Sequence, residues 1–117
     1  MEHRTGIEAL RADFARDLIR GGQVDRAAEQ VEAGLLLDPE EPDLLALRAW
    51  IELRRGQVPL ANASSAEALE HGPWSDWAVY VRSLVLTAEG RTEEAEELLA
   101  PLRARVAEDA PPEYVFR

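Results

Sequence analysis

The sequence predicts an all-α protein of six helices arranged as three helix-turn-helix units. Three observations carry that prediction. First, Gly22, Gly56 and Gly90 stand 34 residues apart, and the interval recurs in Ala27, Ala61 and Ala95, in the small residues Ala15, Ala49 and Ser83, and in Pro39 and Pro73. Second, each of the three glycines follows one apolar stretch of helical periodicity and precedes another. Glycine there permits the positive φ that ends a helix and turns the chain, and the alanine five residues later lets two helices approach closely. Third, a proline seventeen residues after the first and second of these glycines stops the second helix of the unit and begins the return.

Taken in order, the expected helices cover residues 6–20, 24–37, 42–55, 58–71, 76–89 and 92–108. Thr5-Gly6-Ile7-Glu8 fits a capping box opening the first. Leu10, Phe14 and Leu18 form its apolar stripe, and Arg11, Asp13, Arg16, Asp17 and Arg20 face elsewhere. The third and fifth helices are apolar on nearly every side: residues 44–53 read LLALRAWIEL, and residues 77–86 carry Arg82 as their one charge. His71 fits a helix C-terminus, where a cationic ring suits the dipole. Ser75 is a candidate cap for the fifth helix and Thr92 for the sixth, with Glu93 and Glu94 suited to the positive end of the latter. Ala95, Leu99, Leu102 and Val106 stripe the last helix, and Pro101 within it predicts a kink or a break near Ala100. Half-polar helices at both ends suit the terminal units of an array. The expected domain is therefore 1–109, followed by an extended, Pro-rich tail over 110–117.

Composition narrows the function. The chain has 117 residues with 13 basic and 23 acidic side chains, a formal charge of −10, and every basic residue is arginine. One small domain is expected. So acidic a chain lacks the basic surface that phosphate neutralisation needs, so no nucleic-acid partner is expected. Without cysteine there is no disulfide, thiolate metal site or cysteine nucleophile. The N-terminal residues lack a secretory h-region, no segment is long and apolar enough to span a bilayer, and no basic amphipathic helix suits a membrane surface. A cytoplasmic location follows as the expectation.

Nothing in the pattern resembles an active site. His3 lies in the leader. Glu67 and His71 stand at helical spacing but make only two ligands of a metal site. Each of the 34-spaced glycines belongs to a turn and cradles no phosphate, and the serines lack a partner histidine. A non-enzyme without metal or cofactor is expected.

The period and its columns resemble the tetratricopeptide repeat family. Repeats run from Glu8 to Glu41, Pro42 to Ser75 and Asp76 to Asp109, marked by Phe14, Ala15, Leu18, Gly22, Ala27 and Pro39 in the first, Leu45, Ala49, Gly56, Ala61, Ala68 and Pro73 in the second, and Val79, Ser83, Leu86, Gly90, Ala95 and Leu99 in the third. The sequence departs from the family where Arg48 and Arg82 replace a large apolar residue, and where Glu52 replaces an aromatic or leucine. Arg48 and Glu52, four residues apart, are placed to pair along one helix. The resemblance implies a right-handed superhelical array whose first helices (the A helices) line a concave groove for a peptide or helix of a partner protein.

Carried onto this chain, the family's groove positions fall on Arg16, Arg20, Trp50, Leu53, Arg54, Trp77, Tyr80 and Leu84. They form an aromatic, apolar patch flanked by arginines, the residue types that dominate binding hot spots. Ala12, Ile19, Asp43, Ala46 and Thr87 complete the set. The lysine and asparagine clamp of one chaperone-binding subgroup is absent. An adaptor or small chaperone is implied, similar in size, charge and repeat type to bacterial secretion chaperones. The net charge favours a basic partner segment. The alternative is a scaffold whose apolar A helices pack against a second copy as a homodimer. Tyr114-Val115-Phe116 gives the tail a surface to fold back with.

Overall fold

A computed structural model describes residues 15–108, which form helices and short turns with no strand among them. Helix α1 is described over 15–20, and α2 (Val24–Leu37), α3 (Pro42–Arg54), α4 (Val58–His71), α5 (Asp76–Ala88) and α6 (Thr92–Glu108) follow. The bounds of α2 to α6 agree with expectation to within one residue. The capping box at Thr5–Glu8, the apolar residues Leu10 and Phe14, His3 and the tail 110–117 lie outside the described residues.

The turns inside the three helix pairs share one geometry. Gly22, Gly56 and Gly90 have φ of 81°, 77° and 83°. After each glycine the next N–H reaches back to a carbonyl five residues earlier: Gln23 to Leu18, Gln57 to Glu52 and Arg91 to Leu86, all at 2.8 Å. The glycine N–H donates to Ile19, Leu53 and Thr87 at 3.0, 3.0 and 2.9 Å. This is the Schellman arrangement, which satisfies the carbonyls left over at a helix end. The columns of small residues are buried: Ala15, Ala27, Ala49 and Ala61 fully, and Ser83 and Ala95 nearly so.

The turns between pairs are of a second kind. Ser75 caps α5 as expected, its Oγ accepting from Ala78 N–H at 3.1 Å. Glu41, buried ahead of Pro42, caps α3 by accepting from Asp43 N–H at 2.9 Å. Helix α6 begins at Thr92, so Thr92 is the first helical residue and the cap position falls on Arg91. Pro101 does not break α6, which runs through it to Glu108. The proline is exposed, so water can serve the carbonyl whose helical partner it removes. Gly72 packs against the start of α3: a Cβ there would stand 2.4 Å from the Pro42 ring. That contact brings the end of α4 to the beginning of α3, so the two helices run antiparallel. Arg105 near the end of α6 meets Asp76 at the start of α5 at 3.0 Å, with the same consequence.

Helix α3 is the hub, packed on α2, α4 and α5. Leu44, Leu45, Ala46, Leu47 and Ala49 are essentially inaccessible, which explains why its sequence is apolar on every side. Two polar seams cross this core, one at Arg82 and one at Arg48. Arg82 Nη1 donates to the Asn62 carbonyl at 3.1 Å, to Asn62 Oδ1 at 2.7 Å and to Ser65 Oγ at 3.0 Å, tying α5 to α4. Burial lowers its pKa from the ordinary arginine value, and the charge of Arg91 adds to that effect. Arg48 donates through Nε to Ser64 Oγ at 3.3 Å and lies 3.9 Å from both Glu32 on α2 and Glu67 on α4.

The expected Arg48–Glu52 pair does not form, because Arg48 spans outward to the two flanking helices instead. Glu52 is left with Oε1 buried and without a hydrogen-bond partner. It borders a cleft of about 90 Å³ between α2 and α3, lined also by Ala28, Val31, Ile51, Arg55 and Gln57.

Two stability predictions follow from this packing. Gly72→Ala has no room for its methyl group beside Pro42, and it should lower unfolding free energy by about 1–3 kcal/mol. Glu52→Leu removes an unpaired buried carboxylate oxygen and should raise stability by about 1 kcal/mol. Urea titrations followed by helical circular dichroism check both.

Candidate functional site

The candidate residues lie on the odd-numbered helices, and side-chain contacts join all three. Arg16 on α1 places its Cζ 4.7 Å from the centre of the Trp77 ring on α5. Its Nη2 lies 3.8 Å from Asp43 Oδ2 on α3. Asp43 Oδ1 in turn accepts from Ser75 Oγ at 2.8 Å, so the cap of α5 and the first turn of α3 share one hydroxyl. The Arg16 side chain is only 13% exposed. Residues far apart in sequence, one from each helix pair, therefore meet in one cluster.

Along the same face, Arg54 lies over the ring of Trp50, one helical turn earlier, with Cζ 5.0 Å from its centre. Trp50 is only 8% exposed and belongs to the hydrophobic core. Leu53, Leu84 and Trp77 are half-buried and pack against that core, as does Ile19. Tyr80 is also half-buried, whereas Ala46 is fully buried and adds nothing to the surface. Arg20 is exposed and bonded to Asp17 at 3.3 Å.

Arginine thus covers tryptophan twice. A guanidinium laid on an indole gains cation–π attraction of about 0.5–2 kcal/mol and keeps its N–H edges available for hydrogen bonds. The sequence expectation was an aromatic patch with arginines at its margin. In the structure the arginines form the roof and the tryptophans lie beneath, so the surface on offer is guanidinium edges beside half-buried leucine. Sequence reasoning placed Asp43 on the face but missed its role as the link between Arg16 and Ser75. The signal was present: Asp43 and Ser75 both stand in or just before a first helical turn, where acids and hydroxyls serve as caps.

Among the described residues no three His, Asp or Glu side chains are grouped to hold a metal. Among the same residues no helix is long and apolar enough to cross a membrane. The face offers apolar contact and the donors of charge-assisted hydrogen bonds. No protein-family model matches this chain, and no curated protein matches it. Fold and face together define an all-helical protein of repeated helix pairs with an arginine-roofed surface on one set of helices.

The cluster gives a direct check. Asp43→Ala should cost about 1–2 kcal/mol, since it removes a hydrogen bond to Ser75 and the counter-charge of Arg16. It should also shift tryptophan emission as Arg16 loosens over Trp77. An unchanged spectrum and unfolding midpoint would show that the link carries no energy.

Proposed function

We propose that this chain is a tetratricopeptide-like interaction module, a non-enzymatic adaptor or small chaperone of the bacterial cytoplasm. It holds a peptide or helix of another protein against the face formed by α1, α3 and α5, in a superhelical array. The observation that carries this reading is the convergence of Arg16, Asp43 and Trp77 from three helix pairs, which puts the odd-numbered helices side by side on one surface. Beside that cluster lie Leu53, Arg54, Tyr80 and Leu84, of which arginine and tyrosine are residue types enriched at binding hot spots.

Self-association through the apolar A helices is the second reading. It draws less support, because the apolar residues of α3 are consumed within the chain. Among the described residues, the large hydrophobic side chains left exposed are Leu36 and Leu37 on α2, Leu60 on α4 and Trp74 in the loop before α5.

The test is an affinity capture from lysate of the source organism, comparing the native chain with Leu53→Ser/Leu84→Ser. Those side chains border the face without forming the centre of the core, whereas a Trp50 substitution would report on folding. A protein held by the native chain and recovered about tenfold less by the folded double variant is the expected result. Equal recovery would move the function to the outer helices, and a mass that doubles with concentration, with no other protein captured, would favour the homodimer.

A further inference from the structure

The charge of this chain is not spread evenly over its helices. The acid excess sits on the even-numbered set: Glu29 and Glu32 on α2, Glu67 and Glu70 on α4, and the Glu93–Glu97 stretch of α6. On the odd-numbered helices acids and arginines are close to balanced. Nearly every described arginine has a polar partner within the protein: Arg48 meets Glu32 and Glu67, Arg55 meets Asp25, Arg91 meets Glu89 and Glu94, and Arg103 meets Glu96. Arg54 differs. It is exposed, it is stacked on Trp50, and it makes no hydrogen bond or ion pair among the described residues. In a chain with so many carboxylates to spare, a cation held in place by an aromatic ring and left without one is a donor available to something else. Arg20 holds the equivalent position one repeat earlier, 34 residues before Arg54.

We propose that the partner segment bound on the α1/α3/α5 face is acidic. It would present carboxylates to Arg54 and lay apolar or aromatic side chains on Leu53 and Leu84. This inference rests on the binding reading given above and names the chemistry of its ligand. It opposes what net charge alone favours, a basic partner, because net charge acts at long range and is screened beyond about 10 Å at ordinary salt. Contact on the face is decided by the groups within hydrogen-bonding reach. An arginine pre-positioned on an indole has lost part of its rotamer freedom already, and its planar fork matches a carboxylate at two points. The even-numbered helices would repel the same ligand, which confines it to the arginine-bearing face.

Random copolymers of glutamate and tyrosine, and of lysine and tyrosine, serve as probes. Fluorescence anisotropy measures the affinity of each labelled copolymer for the full chain, for Arg54→Glu and Arg54→Gln, and for Arg26→Glu. Arg26 is exposed on α2 and bonded to Gln23 at 2.8 Å, so its variant changes net charge by the same amount away from the face. The acidic copolymer should bind more tightly than the basic one. Its affinity should fall about tenfold in Arg54→Glu and severalfold in Arg54→Gln, with Arg26→Glu within about twofold of native.

Equal losses in Arg54→Glu and Arg26→Glu would overturn the proposal, since the effect would then be net charge. Failure of the acidic copolymer to bind at all would overturn it too. Tighter binding of the basic copolymer, abolished by Leu53→Ser/Leu84→Ser, would overturn the acidic ligand and leave the binding face standing. Binding of either copolymer that ignores every substitution on α3 and α5 would remove the face itself.

Discussion

The glycine turn that closes each helix pair is the constraint on which the rest depends. A left-handed residue followed by an N–H that reaches back five residues ends a helix abruptly and reverses the chain within two or three residues. Any other residue would pay for that φ in strain. Because the turn occurs three times at one interval, the helices after it start in the same phase. Ala27, Ala61 and Ala95 then arrive at equivalent places in the second helix of each pair, where all three are buried. The same phase puts Arg16 and Trp50, and Arg20 and Arg54, at corresponding places on successive odd-numbered helices. A face made from three separate helices exists because one backbone conformation recurs.

Arginine does the remaining work of joining the helices. Arg82 fills a seam between α4 and α5, and Arg48 bridges α2, α3 and α4, where aliphatic packing would ordinarily serve. Such seams add little net stability over an apolar contact, but they impose a geometry, because a guanidinium needs its acceptors in particular directions. Glu52 shows the cost of the arrangement: with Arg48 turned to the flanking helices, its buried oxygen has no donor. On the candidate face the same side chain plays another part. Arg16 and Arg54 lie on tryptophans and convert what would be an aromatic surface into a cationic one over an aromatic base.

The bounds of α2 to α6, the turn glycines, the buried alanine columns and the Ser75 cap were all readable from the sequence. Each rests on interactions within a few residues: propensity, backbone φ, capping and apolar periodicity. The positions on the odd-numbered helices were readable too, since a fixed period assigns equal places to equal residues. Hidden from the sequence were the partners. Nothing local says that Arg48 turns away from Glu52 toward two other helices, that Asp43 joins Arg16 to Ser75, or that Trp50 lies under Arg54 in the core. Pro101 illustrates the converse. Its local signal called for a kink or a break, yet α6 continues, because an exposed helix surface can leave the orphaned carbonyl to water. Sequence alone thus determined the elements, their order and their phase, since these are short-range properties of the chain. The tertiary structure decided which charges pair, which aromatics are covered and which described arginine is left without a polar partner, since those depend on how separate helices pack.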